Sequence, residues 1–251
     1  MGIKRYELSE AQWQKIAPML PGKAGDPGRT AVDNRLFING VLWVLRSGAR
    51  WSDLPERYGK YKTVHKRFTR WARAGVWEDI FALLARDRDN EYLMIDSSIV
   101  RAHAQAATGQ KGGVRPGSGA LPRRTDLQVA HRSRHPGSSG ALHPDWRQRQ
   151  RSKLGIPLLT GLPARHVLAD KAYDTYAILD FVEASGAQPI IPQRVCMPRK
   201  RAFDPVKYKL RNRIERTIGR LKQLRRIATR YDRIPQNYLA SLCLAAISFW
   251  C

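Results

Sequence analysis

The chain has 251 residues, 43% of them hydrophobic, and carries 45 Lys and Arg against 21 Asp and Glu, a formal net charge of +24. That length fills one large domain or a small and a medium one, and the charge points to a polyanionic partner. No run of about 18 apolar residues is present, so a membrane span is not expected, and Met1 to Tyr6 lead into a polar helix rather than a signal peptide. Three scattered cysteines, Cys196, Cys243 and Cys251, suit neither a disulfide framework nor a zinc site, which fits a reducing cytoplasm.

The first 88 residues read as short helices. Ser9 and Gln12 form a capping box, and Leu8 is placed to staple onto Trp13. Pro18 and the stretch from Pro21 to Gly28 end that helix. Asp33 can cap a second, carrying Leu36, Phe37, Val41, Val44 and Leu45 to a stop at Ser47-Gly48. A third helix is expected from Thr63 to Ala74. Val64, Phe68 and Trp71 form its apolar stripe, while Lys66, Arg67, Arg70 and Arg73 lie largely away from it. Helix, connection, basic helix is the outline of a helix-turn-helix, the alternative being an ordinary solvated face. The charge of the whole chain favours the DNA reading.

From Glu91 the pattern changes. Tyr92-Leu93-Met94-Ile95-Asp96 and His166-Val167-Leu168-Ala169-Asp170 are short apolar runs that each end in an acid, as buried strands delivering a carboxylate would. Between them, Gly113 to Lys153 holds nine Lys or Arg, five Gly, four Pro and five Ser with almost no periodicity, and reads as loop or disorder. Further on, Tyr176 to Ala184 is expected to be helical and Pro189 to Pro192 a short strand. A long helix is expected from about Pro205 to Thr229, with Leu210, Ile214, Ile218, Leu221 and Leu224 on one stripe, followed by an apolar helix from Tyr238 to Trp250.

Two-metal phosphoryl transfer needs carboxylates converging on one point, and two strand-end aspartates plus a helical glutamate can supply them. Tyr208, Arg211, Glu215 and Lys222 stand at offsets of zero, three, seven and fourteen, along one face of the long helix. Taken alone, that face also reads as a plain salt-bridged helix. The spacing Y-x2-R-x3-E-x6-K nevertheless resembles the signature of DDE insertion-sequence transposases of the IS4/IS5 type. Asp170-Lys171-Ala172-Tyr173 is similar to the segment holding that family's second aspartate, and Leu93 to Ser98 to the segment holding its first. Leu54 to Gly59 and Thr63 to Phe68 are similar to the family's helical domain.

The resemblance implies an α/β, RNase H-like catalytic domain over residues 89–251, preceded by a small all-helical DNA-binding domain over 1–88. It implies that Asp96, Asp170 and Glu215 are catalytic ligands of Mg²⁺ or Mn²⁺. Tyr208, Arg211 and Lys222 become contacts to DNA near the cut, and Lys66, Arg67, Arg70 and Arg73 contacts of the helical domain. The partner is then double-stranded DNA, at the element ends and the target, engaged by a homo-oligomer in the bacterial cytoplasm, associated with the nucleoid. Asp174 competes with Asp170 for the second position; Asp170 is preferred because it directly follows the apolar run.

Members of the family carry two further antiparallel strands after the first aspartate, and here these are not visible in the pattern. Leu127 to Ala130 is the sole candidate, so the sheet is expected to be incomplete and residues 113–153 disordered. Leu121 to His131, back-translated and read one base later, can give S-R-G-G-L-T-C-K-L-H, which resembles the missing stretch. The hypothesis that follows is an out-of-frame segment from about Gly113 to Ser152, in a copy weak or inactive in catalysis; gene reads lacking any shift would exclude it.

Overall fold

The computed structural model describes residues 6–26, 30–86, 91–103, 106, 124–133, 142–145, 155–162, 164–195, 198 and 201–250. They fall into two compact units, one formed by Met1–Leu84 with Leu221–Cys251, the other by Ala85–Arg220. The last 31 residues are grouped in the same compact unit as the N-terminal helices. Their apolar helix is nearly featureless around its circumference and carries no local sign of which partner it covers.

The first unit is mainly helical, with α1 (Glu10–Ile16), α2 (Asn34–Ser47), α3 (Tyr61–Arg73), α4 (Val76–Arg86), α9 (Arg225–Ala228) and α10 (Pro235–Trp250), and a two-residue strand at Thr229–Arg230. The capping box at α1 is present, with the Ser9 hydroxyl accepting from Gln12 N and the Gln12 side chain accepting from Ser9 N. Asp33 caps α2 by accepting from Leu36 N at 2.8 Å, and Gly48 ends it in the left-handed region at φ 72°. Residues 48–60 run through two 3-10 turns before α3, so the connection is longer than a compact helix-turn-helix has; the tight turn, with Gly75 at φ 72°, joins α3 to α4. Val64, Phe68 and Trp71 are buried as their spacing requires. Phe37 lies edge-on to Trp71 at 5.1 Å, and Trp71 is 5.4 Å from Trp77. Helix α10 is tied in by polar bonds: Gln12 donates to Ser248 O at 2.8 Å and Asn237 to Thr69 Oγ1 at 3.3 Å.

The second unit carries β1 (Tyr92–Ala102), β2 (Arg124–Ser133), β3 (Leu142–Asp145), β4 (His166–Ala169) and β5 (Gln188–Ile190), with α5 (Gly155–Leu159), α6 (Tyr176–Ala184), α7 (Pro205–Tyr208) and α8 (Asn212–Lys222). These strands stand in the order β3-β2-β1-β4-β5. β1 pairs antiparallel with β2, and β2 with β3, whereas β1 and β4, and β4 and β5, are parallel. A core of Leu93, Ile95, Val167, Ala169, Tyr173 and Leu179 packs the sheet against α5 and α6. Among the described residues no helix is long and apolar enough to cross a membrane.

Two expectations change. The strand carrying Asp96 does not lack its antiparallel neighbours: β2 contains Leu127 to Ala130 and extends well beyond it, and β3 completes the edge. A ladder is made by backbone N–H and C=O groups, so it forms without the alternating pattern that would have announced it. Residues 124–133 and 142–145 of the segment expected to be disordered are therefore strands, while the rest of 113–153 lies outside the described residues. The helix expected over 205–229 is broken into α7, a 3-10 turn at Lys209–Arg211, α8 and α9. Leu224, extended at ψ 111°, separates the last two, and neither glycine nor proline marks that break.

Candidate active site

Three buried residues, Leu93, Met94 and Ile95, precede Asp96, and Val167, Leu168 and Ala169 precede Asp170. The parallel register pairs Ile95 with Ala169, and each of these two residues is followed in the chain by an aspartate. Two chemically similar runs, locked by hydrophobic burial on adjacent parallel strands, thus bring two carboxylates to the carboxyl end of β4 and the neighbouring point of β1. Asp170 also caps the 3-10 turn at Lys171–Tyr173, its side chain accepting from Ala172 N at 2.9 Å. Asp96 is 9% exposed.

Arg211 links these strands to α8. It donates from Nη2 to Asp96 Oδ1 at 3.2 Å and from Nη1 to Glu215 Oε1 at 2.8 Å. Burial pulls the guanidinium pKa down, but the charges of Asp96, Tyr208, Glu215 and Asp170 outweigh it and the net direction is up. The 3-10 turn eclipses residues three apart, which sets the Arg211 guanidinium 6.0 Å from the Tyr208 ring, itself 5.2 Å from Phe203. Glu215 is on the exposed side of α8, with Ile214 and Ile218 buried.

Asp96, Asp170, Tyr208, Arg211 and Glu215 thus share one neighbourhood in the second unit. Among the described residues no three metal-capable side chains are grouped closely enough to hold one ion, since Arg211 lies between Asp96 and Glu215. The donor set still fits a hard divalent cation: all its ligands are carboxylate oxygens, and two of them already converge on a positive charge. Asp174 has a different task. Fully buried, it accepts from Arg194 N at 2.6 Å and is ion-paired to Arg201.

The remaining site residues are dispersed. Lys222 is the half-buried last residue of α8. On α3, Lys66, Arg70 and Arg73 are exposed, and with Lys62 they follow helical spacing along one face. Arg67 is half-buried, bonded to Asn34 and held over the rings of Phe37 (4.4 Å) and Trp71 (4.6 Å). Sequence reasoning missed the bridging role of Arg211. The i,i+4 spacing to Glu215 was a signal for half of it; the bond to Asp96, 115 residues away, had none. It also missed Lys207, which donates to His166 Nε2 at 3.1 Å near the start of β4.

Comparison with known proteins gives this arrangement its context. Residues 8–81 match the model of the IS4/5 transposase family (DUF4096), and residues 167–250 match a transposase DDE domain. The uncharacterized protein y4sN of Sinorhizobium fredii (strain NBRC 101917 / NGR234) is 47% identical over 111 residues, covering 43% of this chain and 89% of that protein. A 16.2 kDa uncharacterized protein of insertion element IS402 from Burkholderia cepacia is 36% identical over 121 residues, covering 43% of this chain and 80% of that protein. The chain belongs to the IS4/5-type family of insertion-sequence transposases and carries its DDE transposase domain.

Proposed function

We propose that the chain binds the ends of its insertion sequence, nicks them by metal-dependent hydrolysis and joins the freed 3′-hydroxyl to target DNA. One observation carries the reading: Asp96 and Asp170 follow paired residues on adjacent parallel strands, and Arg211 joins Asp96 to Glu215. The strand order β3-β2-β1-β4-β5 supports an RNase H-like architecture for the domain. Asp96, Asp170 and Glu215 would hold Mg²⁺ or Mn²⁺, which supplies charge stabilisation at phosphorus and an activated water.

The chain's own residues do the rest. In hydrolysis water adds to phosphorus and the bond to the 3′-oxygen breaks, leaving a 3′-hydroxyl and a 5′-phosphate. In joining, that hydroxyl attacks a target phosphodiester, which releases a new 3′-hydroxyl. Buried strands fix the two aspartates, and Arg211 turns Glu215 toward them. Tyr208, Arg211 and Lys222 contact the DNA beside the cut. Lys66, Arg70 and Arg73, with Arg67 stacked behind them, present charge to the phosphate backbone. A homo-oligomer would bring the two ends together.

Incubation of the purified chain with duplex DNA from the gene's flanks and Mg²⁺ or Mn²⁺ tests this. Nicking at the element boundary is expected; equal cutting of unrelated DNA, or cutting undiminished in EDTA, would contradict it.

A second reading, a copy that binds DNA without cutting it, draws on the β1–β2 register. In that register Leu93 and Ile99 stand opposite Arg132 and Asp126, polar types paired with apolar ones. Activity confined to a variant with residues 113–152 restored to the alternative frame would favour it.

A further inference from the structure

A cavity of about 470 Å³ lies within the first unit, away from the basic face of α3, and is lined by Tyr6, Arg46, Ser47, Gln223, Arg225 and Phe249. Its lining holds two guanidinium groups and no carboxylate. Arg46, in the last turn of α2, lies over the Tyr6 ring at 5.4 Å, and its Nε is buried without a hydrogen-bond partner. Neither Arg46 nor Arg225 has an ion pair among the described residues. Arg225 is exposed, and its Cβ closes against Gly48, where an added methyl would come within 2.9 Å.

Arg46, partly drawn out of water without a counter-charge, is unfavourably placed, and an entering anion relieves that cost. A single positive residue at the end of α2 would serve to offset the helix dipole. A second guanidinium, with a glutamine amide and two aromatic walls, exceeds that need. Two arginines match the oxygens of one phosphate, and aromatic faces take the flat base or sugar beside it. The volume suits about one nucleotide.

We propose that this cavity is a second DNA contact, in which Arg46 and Arg225 clasp one backbone phosphate and the adjoining nucleotide lies against Tyr6 and Phe249. The inference rests on the DNA-binding reading above and adds to it a contact supplied jointly by the N-terminal helices and the C-terminal segment.

The test is fluorescence anisotropy of the full chain on a labelled 20-base-pair duplex across a NaCl series. Arg46→Gln/Arg225→Gln is compared with Lys15→Gln/Lys23→Gln, which removes the same charge elsewhere in the unit. The cavity variant is expected to bind about tenfold more weakly and to lose about one unit of the log K against log salt slope, as loss of one phosphate contact requires. The control is expected to change less than about twofold. Equal behaviour of the two variants would overturn the proposal. So would a gain in melting temperature from inorganic phosphate, over chloride at equal ionic strength, with DNA affinity unchanged by the substitutions; the cavity would then take free phosphate. Arg225→Gln alone, an exposed change, keeps the test valid if the double variant does not fold. Persistent nicking of flank DNA by a chain whose cavity variant matches the control would leave the transposase reading standing and remove this inference only.

Discussion

Asp170 and Asp174 lie four residues apart with the same functional group, yet the fold gives them opposite duties. Asp170 sits at the end of β4 beside Asp96, while Asp174 is sealed against Arg194 and Arg201. Removing one partner of a buried ion pair strands the other, so Asp174→Ala is expected to lower stability by about 3 to 5 kcal/mol in urea unfolding. Asp170→Ala, which removes the cap on the Lys171–Tyr173 turn, should cost less, about 0.5 to 2 kcal/mol. Glu78 on α4 supplies a pH test. Burial raises its pKa above the usual 4.5, and Oε2 is buried without a hydrogen-bond partner. The folded chain then holds its proton to higher pH than the unfolded chain, so stability falls as pH rises from about 4.5 through the folded value and is level beyond it. Glu78→Gln should flatten that decline in urea midpoints taken from pH 4 to 7; an unchanged slope would assign the decline to other groups.

At the scale of elements, legibility followed locality. The capping box at Ser9, the Asp33 cap, the Gly48 stop and the helix Tyr176–Ala184 were readable because a few neighbouring residues decide each. The two apolar runs ending in acids were readable as strands for the same reason. β2 and β3 were not, since their pairing is a long-range backbone event written on polar, proline-bearing sequence. Nor was the break at Leu224. Gly48 offers a check on one of these elements. It is left-handed, and a Cβ there would meet Arg225, so Gly48→Ala should cost at least about 1 to 2 kcal/mol in thermal or urea unfolding. A neutral result would mean that α2 and α9 separate readily at this point.

For the whole molecule, the chain leaves the helical unit, builds the sheet unit and returns, so the first unit is discontinuous. Helix α10 and the buried Arg226–Asp232 pair belong to it, and Arg226 also donates to Ala49 O at 3.2 Å. Residues 1–84 made alone should therefore lack a cooperative unfolding transition, and adding a peptide of residues 221–251 should restore one by circular dichroism. A fragment that melts cooperatively without the peptide would show that the N-terminal helices suffice. In the proposed function, Asp96, Asp170 and Glu215 form a single catalytic site. Its most direct test is nicking of flank DNA in Mn²⁺ by the full chain beside Asp96→Asn, Asp170→Asn and Glu215→Gln, at protein concentrations that bind the DNA equally. Each substitution should reduce the nicking rate by at least about a hundredfold, since misplacement of one reacting group has that effect. Nicking that survives any one of the three would show that these carboxylates do not act as one site.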